Sequence, residues 1–261
     1  MTVIELSRLF ESLQLFEQFQ RIFEYYPELV SGFFMTMGLY IFALILGLGL
    51  GILLAIGRHY GGAITSRICT AYIEFMRGTP LLAQILAVTF FPTVLNAWLV
   101  SQGMAPIDTS WRIIFPDIAG TPRTILNLTI LLCAITLGLN SGAYQAEFFR
   151  GSLASLSAGQ SLAAMSMGMT KRQEIRHIAL PQSLRRAIPA WSNEAVYLPK
   201  YTTVAYFVGV ADIFSIAKFI VSRTYLALQV YTLIAILFLI LITVISSLID
   251  RFYERMKIPG L

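Results

Sequence analysis

The chain of 261 residues is too apolar for an ordinary soluble protein, since 57% of its residues are hydrophobic and 13% are charged, against about 45–50% and about 25% in soluble domains. A membrane span needs about 20 apolar residues, so the length fits a bundle of a few spans and disfavours a large separate soluble domain. The net charge of +5 comes from basic residues spread over several loops, which argues against a nucleic-acid-binding surface.

The N-terminal segment, residues 1–31, is predicted to be an amphipathic helix. Its apolar residues are interleaved with charged ones, which excludes a cleavable signal with a continuous apolar core. Two placements remain open: along the outer membrane interface, or packed on the helical bundle. The apolar positions that recur near helical spacing are Leu6, Leu9, Phe10, Leu13, Phe16 and Phe23.

Five segments are candidate membrane spans. The clearest, 33–56, has no charged residue and carries glycines at 47, 49 and 51, which allow a neighbouring helix to approach closely. The others are 81–100, 124–144, 187–210 and 229–249, of which 187–210 is interrupted by polar residues. The sequence therefore predicts an all-α membrane protein with about five transmembrane helices and its ends on opposite sides of the membrane.

The distribution of Lys and Arg predicts the orientation. With the N-terminus outside, the inner segments 57–79, 147–186 and 250–261 hold twelve of the nineteen basic residues and the outer segments hold six. The positive-inside rule then places the C-terminus inside, with residues 254–261 as a cytoplasmic tail. The nineteenth basic residue, Lys200, falls inside a span.

The segment 91–123 is predicted to be an outer loop with room for a short interfacial helix, because it contains prolines at 92, 106, 116 and 122. Contact with a solute receptor and a passive covering role both remain open for it. Cys69 falls in an inner loop and Cys133 in a span, so neither a disulfide nor a metal site is expected from them.

The inner stretch SLAAMSMGMTKRQEIRHIALPQ, residues 161–182, indicates two short helices that form an elbow. Gly168 can take the left-handed conformation that ends the first helix, and Pro181 is expected to stop the second. Two capping boxes mark the helix starts, namely Ser157 with Gln160 and Thr170 with Gln173. By themselves these features fit a plain interfacial loop as well as a docking device.

Polar residues in the fourth span are candidates for function, because ionisable groups inside a membrane usually face a cavity or a partner. Asn193 and Lys200 are seven residues apart and share a helix face, and Thr203 lies near that face. Pro199 is expected to kink the helix beside Lys200. A structural alternative stays open, in which Lys200 snorkels or pairs with a carboxylate and Glu194 caps the inner end of its helix.

The elbow resembles the "EAA" loop of the transmembrane subunits of bacterial-type ATP-binding-cassette (ABC) importers. Ala163-Ala164, Gly168, Ile178 and Leu180-Pro181 match its spacing throughout. Three further stretches are similar to the polar amino-acid uptake branch of that family, namely EFMRGTPLLAQ (74–84), AYQAEFFRGSLASLSAGQ (143–160) and LPQSLRRAIPAWSNE (180–194). The resemblance covers about 32–253, with the EAA loop at about 152–181.

The resemblance implies a permease subunit that imports a polar amino acid across a prokaryotic cytoplasmic membrane. Its partners would be a second permease half, either a copy or a related chain, two ATPase subunits, an external solute-binding protein and membrane lipid. No G-x-x-x-x-G-K-[ST] phosphate loop occurs in the sequence, so the chain is expected to be no enzyme and to hold no cofactor, with ATP and magnesium bound by the ATPase partner.

Two sets of functional residues follow, the coupling set from the resemblance and the substrate-binding set from the polar residues of the spans considered together with it. The elbow would be a coupling helix that docks in a cleft of the ATPase through Ala163, Ala164, Gly168, Ile178, Leu180 and Pro181. The candidate substrate-binding residues are Gln84, Asn193, Glu194, Lys200, Thr202 and Thr203. Lys200 would meet the substrate carboxylate, while Asn193 or a backbone carbonyl would accept from its ammonium group.

Two positions depart from the family pattern. Leu162 stands where the loop motif begins with an acid, which removes a polar contact, and Tyr201 stands where an acid often follows the lysine. The main alternative function is an ion- or proton-coupled secondary carrier or channel subunit, although such a protein needs intramembrane carboxylates and the spans offer little beyond Glu194. A membrane scaffold without transport would keep the elbow and would not need the polar face around Lys200.

Overall fold

The computed structural model describes residue 14 and residues 16–156 and 158–256. Within these ranges the protein is mostly helical and contains a two-stranded sheet. The first elements are α1 (Tyr26–Tyr60), α2 (Ala63–Gly78), α3 (Leu81–Ser101), β1 (Arg112–Pro116), β2 (Pro122–Asn127) and α4 (Leu128–Ala154). The remaining elements are α5 (Ala158–Ser166), α6 (Lys171–Glu174), a π-helix (Ile175–Ala179), α7 (Leu180–Tyr201), a 3₁₀-helix (Thr202–Val208), α8 (Ile213–Thr224) and α9 (Ala227–Met256).

Four helices in the described part of the chain, α1, α3, α4 and α9, are long and apolar enough to cross a membrane. The run Lys171–Val208 and helix α8 pass the same test only as a pair, bent by 57° at the break between them. The predicted spans 33–56, 81–100 and 229–249 lie within α1, α3 and α9, which are candidate spans by length and composition. The prediction of about five spans agrees with the four to five that these helices allow.

The prediction of an all-α protein is wrong between α3 and α4, where β1 and β2 form an antiparallel hairpin. The strands contain β-branched and aromatic residues, which fit extended backbone. Pro116 pairs with Pro122 at the end of the hairpin next to the connecting turn. A missing backbone amide donor costs little stability at this position. The helix expected to begin at residue 124 therefore begins at Leu128. Asn127 caps its start, because its side-chain oxygen accepts a hydrogen bond from Ile130 N at 2.8 Å.

The outer loop expected at 91–123 is also shorter than predicted, because α3 continues to Ser101 with Pro92 inside it. In a membrane an apolar segment satisfies its backbone groups by staying helical, and a single proline is tolerated there. The loop proper begins only after α3, so the prolines at 106, 116 and 122 lie in the hairpin region and Pro92 does not.

The centre of the bundle is the contact between α1 and α4, which depends on glycines of α1. A Cβ added at Gly47 would lie 2.5 Å from Gln145 Nε2, and one added at Gly51 would lie 2.8 Å from Gln145 Cβ. Only glycine permits so close an approach, as the glycine pattern predicts. Gly49 lies between them on the open side of α1, with no atom within 4 Å of its Cβ position.

Residues 16–23 of the N-terminal segment are helical and pack on the bundle. Ile22 is fully buried among apolar residues of α8 and α9, including Ile213 and Val230. Phe16 and Phe23 are exposed. This part thus packs on the bundle, and the interfacial placement stays a prediction. The predicted positions Leu6, Leu9, Phe10 and Leu13 lie outside the described residues.

Pro181 does not stop the second helix of the elbow, contrary to the prediction. The chain stays helical from Lys171 through the π-helix into α7, and Pro181 occupies the first turn of α7. Proline is tolerated in a first turn, and the wider π turn brings Leu180 N to the carbonyl of Ile175. The elbow is therefore joined to α7 without a break.

Candidate functional site

Lys200 lies near the end of α7, on a side of the helix that is polar and exposed. We call this side the α7 face and define it by Asn193, Tyr197, Lys200 and Tyr201, all of which are exposed. The Lys200 ammonium lies over the Tyr197 ring, 4.2 Å from its centroid. Within the ranges that the structure describes, no carboxylate forms an ion pair with Lys200.

Lys200 also lines an open cavity of about 490 Å³, which we call the Lys200 groove. Apart from Lys200 and Thr203 the groove is lined by residues of α8 and α9, with the Phe214 and Tyr231 rings stacked at 5.9 Å between centroids. The other lining residues are Ile234, Ala235 and Phe238. The structure thus brings two of the predicted substrate-binding residues, Lys200 and Thr203, to one cavity.

The hydroxyls of the two predicted threonines bond within the helix. Thr202 is fully buried and donates to the carbonyl of Pro199 at 2.7 Å. Thr203 donates to the carbonyl of Lys200, also at 2.7 Å. These bonds satisfy two carbonyls where α7 passes into the 3₁₀-helix, and they turn Thr202 away from the groove.

Glu194 lies well inside α7 and is buried, so the alternative that it caps the inner end of its helix is wrong. Its Oε1 accepts from the Ser141 hydroxyl of α4 at 2.6 Å. Gln145 donates to Ser141 Oγ at 3.0 Å and accepts from Trp191 Nε1 at 2.7 Å. Glu194 therefore belongs to a polar network between α4 and α7 and not to the exposed α7 face.

Gln84 is separated from the other candidates and joins three elements. Its Nε2 donates to the carbonyl of Met76 at 2.8 Å and to Thr79 Oγ1 at 2.7 Å. Its Oε1 accepts from Asn140 Nδ2 of α4 at 3.0 Å. These bonds fix the turn between α2 and α3 against α4.

Sequence reasoning did not single out Ser141, Gln145 and Asn140, although all three are buried polar residues on α4. A usable signal was present, because Ser141 and Gln145 are four residues apart and so share one face of a span. A polar pair at that spacing in an apolar helix indicates a partner helix.

The elbow, predicted at residues 161–182, begins with α5 at Ala158 and has the predicted turn chemistry. Gly168 has φ of +81° and follows the end of α5. Thr170 and Gln173 form the predicted capping box at the start of α6. The box predicted at Ser157 lies outside the described residues.

The two sides of the elbow differ. Ala164 is buried and Ala163 is exposed beside a row of large apolar side chains, which are Leu162, Met165 and Met167. The other predicted coupling residues lie on the inner arm, where Ile178 and Leu180 are half-buried and Pro181 is exposed. The elbow thus exposes three large apolar side chains, of which Leu162 stands where the family motif has an acid.

Polar contacts hold the elbow against the end of α1. Lys171 pairs with Glu174 at 2.7 Å, and its ammonium lies 4.7 Å from the centroid of the Tyr60 ring. Glu174 is buried and its Oε1 accepts from the Ser161 hydroxyl at 3.1 Å. Both arms of the elbow are therefore fixed to each other and to α1.

An ionic cluster joins α1 to α4 near the elbow. Glu147 of α4 pairs with Arg58 of α1 and, at 2.9 Å, with Arg150 one turn along α4. All three side chains are partly exposed. The cluster fixes the two central helices at the end of the bundle where the elbow lies.

The chain is similar to known amino-acid transport proteins over nearly its whole length. The glutamine transport system permease protein GlnP of Escherichia coli is 30% identical over 89% of this chain and 94% of its own length. The histidine/lysine/arginine/ornithine transport system permease protein HisM of Salmonella typhimurium is 30% identical over 86% and 88%. The crystal structure of an amino acid ABC transporter with histidines superposes with a TM-score of 0.69 at 28% identity, covering 90% of this chain and 96% of that one.

The family match extends beyond these relatives. Residues 47–258 match the family described as binding-protein-dependent transport system inner membrane component. That range includes the elbow, the polar network of α4 and α7 and the Lys200 groove. The chain therefore belongs to the family of inner membrane components of binding-protein-dependent transport systems, the ABC-importer permeases that its EAA-loop motif predicts.

Proposed function

We propose that the chain is one half of the permease of an ATP-driven importer and that the α7 face lines the path of a polar amino acid. Relatives that carry glutamine or basic amino acids in their names support an amino acid as the transported solute. The proposal extends family membership, which is established, to a particular solute class and a particular surface.

The observation that carries the proposal is the exposure of Lys200 in a span without an acidic partner among the described residues. A charged side chain facing lipid is costly, by about 3 kcal/mol on insertion scales. Asn193, Tyr197 and Tyr201 on the same face make contact with hydrocarbon still less favourable. A face of this kind is stable against water, a solute or a second permease half.

The groove chemistry suggests how a solute is held. The Lys200 ammonium is free to bind a carboxylate, and a charge-assisted bond of this kind is worth about 1.5–3 kcal/mol. A backbone carbonyl would accept from the solute ammonium, whereas Asn193 does not line the groove and lies about 10 Å along α7 from Lys200. Glu194, Thr202 and Gln84 have internal partners, so they would support the site from behind.

The elbow is proposed to dock in a cleft of the ATPase. Its exposed Leu162, Met165 and Met167 offer an apolar contact surface. Leu162 would make an apolar contact with the ATPase in place of the polar contact of the acid in the family motif. Two ATPase subunits would bind ATP and magnesium and supply the energy. The Lys and Arg bias supports an elbow on the cytoplasmic side with the N-terminus outside.

The complete assembly would therefore contain a second permease half, the two ATPases and an external solute-binding protein in a prokaryotic cytoplasmic membrane. One half with four to five spans leaves the α7 face uncovered, and a second half, identical or related, would close the path. The solute-binding protein would deliver the amino acid at the end of the bundle away from the elbow.

The test is transport per assembled complex in vesicles, with receptor and ATPase supplied. Lys200→Met keeps much of the side-chain volume and removes the charge, so transport should fall while the yield of complex is retained. Lys200→Arg should keep part of the activity, and Arg67→Met, which removes an exposed basic residue of α2 outside the groove lining, should leave transport unchanged.

Two results would contradict parts of the proposal. Normal transport by Lys200→Met complexes would exclude a role of Lys200 in solute binding, and a lower yield with normal transport per complex would assign it a structural role. Transport that continues after the ATPase alone is inactivated, with the membrane potential intact, would instead favour the secondary-carrier alternative.

A further inference from the structure

Lys218 of α8 is a second exposed lysine close to the Lys200 groove. Its ammonium donates a hydrogen bond to the Tyr206 hydroxyl and lies 4.6 Å from the centroid of the Tyr206 ring. Among the residues that the structure describes, no carboxylate forms an ion pair with Lys218. Like Lys200, it therefore carries a charge that the described part of the chain does not neutralise by pairing.

An aromatic cluster connects Lys218 to the groove. The Tyr206 ring meets the Phe214 ring edge to face, with 5.8 Å between centroids. Phe214 stacks on Tyr231, and both rings line the Lys200 groove. Tyr206 belongs to the 3₁₀-helix that directly follows α7, so the backbone holds it close to Lys200. The two lysines therefore flank one cluster of three aromatic rings.

The pair of Lys218 and Tyr206 presents hydrogen-bond donors to the exterior. Because the Tyr206 oxygen accepts from the ammonium, its own O–H is left to donate, and no acceptor for it occurs among the described residues. The ammonium has three donors, of which this bond uses one. A carboxylate only accepts hydrogen bonds, so it is the group that both side chains can bind, through the stronger, charge-assisted kind of bond.

The carboxylates of the adjoining elements are buried in other contacts. Glu194 of α7 is buried and accepts from the Ser141 hydroxyl of α4. Asp212 is fully buried at the start of α8, where its side chain accepts from Ser215 N at 2.8 Å. Neither carboxylate lines the Lys200 groove. A solute in the groove therefore meets accessible positive charge and no accessible negative charge among the described residues around it.

Lys218 lies at the end of the bundle away from the elbow. Helix α8 packs on the start of α1, where a Cβ added at Gly32 would lie 2.7 Å from Ile216 Cγ1. The elbow contacts the opposite end of α1, where Lys171 lies over the Tyr60 ring. Lys218 therefore lies at the end where the solute-binding protein is proposed to deliver the amino acid.

We propose that Lys218 and Tyr206 form a second carboxylate-binding site beside the Lys200 groove, which makes the path selective for acidic amino acids. In this arrangement, which rests on the proposed function, Lys200 binds the α-carboxylate of the solute. An acidic amino acid has a second carboxylate for the Lys218 site. A glutamine side chain lacks that charge, and a basic side chain is repelled by both ammonium groups.

The test is equilibrium binding of radiolabelled L-glutamate, L-glutamine and L-arginine to the assembled complex of permease and ATPase in lipid nanodiscs. The solute-binding protein is omitted, so that the measured selectivity is that of the permease. Glutamate and glutamine have nearly the same size and differ in charge. The wild type should bind L-glutamate several-fold more tightly than L-glutamine, and L-arginine most weakly. The differences should shrink at high ionic strength, because salt screens exposed charges.

Lys218→Met should weaken glutamate binding several-fold and leave glutamine binding unchanged, because only glutamate has a side-chain carboxylate. Tyr206→Phe should lower the ratio of the two affinities in the same direction, and Lys218→Arg should keep most of it. Arg223→Met is the matched control, because Arg223 is an exposed cation on the same helix that lies over the Phe219 ring, 5.4 Å from its centroid. It should leave all three affinities unchanged.

Three outcomes would overturn the second site. They are a glutamate affinity no higher than the glutamine affinity, an unchanged ratio in Lys218→Met, and an equal loss of both solutes in Lys218→Met, which would assign Lys218 a structural role. The proposed function survives each of these results if Lys200→Met weakens glutamine binding. Glutamine binding that is unaffected by Lys200→Met would instead refute the role of Lys200 and the two-site arrangement with it. Binding of none of the three solutes would refute both.

Discussion

Replacing Gly168 by valine should loosen the elbow through the backbone alone. Gly168 has φ of +81°, and no atom lies within 4 Å of the position that a Cβ would take. The added side chain therefore meets no neighbour, and its effect comes from the left-handed conformation. That conformation costs about 1–2 kcal/mol for a residue with a Cβ and is least favourable for β-branched residues.

The cost should appear as faster opening of the turn. The bonds from Gly168 N to Met165 O at 2.9 Å and from Met169 N to Ala164 O at 3.1 Å close the end of α5. A loss of 1–2 kcal/mol corresponds to a factor of about 5–30 in the opening equilibrium. Hydrogen exchange of the peptide covering residues 158–174, in the purified complex, should accelerate by that factor.

Gly159→Val is the matched control for this prediction. Gly159 is helical and exposed, and it also has no atom within 4 Å of its Cβ position. Valine and glycine differ by only a few tenths of a kcal/mol, roughly 0.3, inside a helix, so exchange should hardly change. Equal exchange in the two variants would refute the backbone argument, and unchanged transport and ATPase affinity in Gly168→Val would remove the docking role of the elbow.

Two further predictions concern the contact between α1 and α4. Gly47→Ala should lower the melting temperature of the complex, because its Cβ would lie 2.5 Å from Gln145 Nε2 and overpacking of this kind costs about 1–3 kcal/mol of stability. Gly49→Ala, whose Cβ would meet no atom within 4 Å, should leave the melting temperature unchanged. Glu147→Gln should also lower the melting temperature, because it removes the charge that pairs with Arg58 and Arg150. The loss of stability should be below the roughly 3 kcal/mol of a buried charged hydrogen bond, because all three side chains are partly exposed. Arg150→Gln, which removes a pair within one helix, should have a smaller effect. A Gly49→Ala loss equal to that of Gly47→Ala, or an Arg150→Gln loss equal to that of Glu147→Gln, would contradict these arguments.

The spans and the turn of the elbow were predictable because their causes are local. An uninterrupted apolar stretch such as 33–56 has to be buried in lipid and has to satisfy its own backbone, which leaves a helix. The left-handed Gly168 and the capping box at Thr170 depend on residues within one turn of the chain. Such features need no information about distant partners.

The hairpin and the course of the chain at Pro181 were not predictable by the same rules. Residues 124–127 form a short segment with two apolar residues, Ile125 and Leu126, and run directly into α4, and a segment of this kind does not distinguish a strand from the start of a helix. Pro181 matches the rule for a helix stop, but it also fits the first turn of a new helix after a π turn. Tertiary packing decides between the two in both cases.

The candidate site shows the same division between local pattern and distant partner. The spacing of Asn193 and Lys200 predicts a shared face, and both residues are exposed on α7. The burial of Glu194 and Gln84 depends on Ser141 and Asn140 of α4, which are distant in sequence. The residues expected to bind substrate therefore separate into an exposed α7 face and buried supports, and their roles in binding stay predictions.

The continuous helix from the elbow to Lys200 suggests how a movement of the ATPase reaches the path. From Lys171 to Lys200 the chain is helical throughout, a distance of about 43 Å at 1.5 Å per residue. We expect a displacement of the elbow to reach the α7 face along this helix, although the π turn and Pro189 and Pro199 inside it are positions at which helices bend. The chain bends by 57° after Val208, and α8 therefore need not follow. Because α9 packs on both α7 and α8 and lines the Lys200 groove with them, we expect a movement of the elbow to change the groove chiefly at its α8 wall.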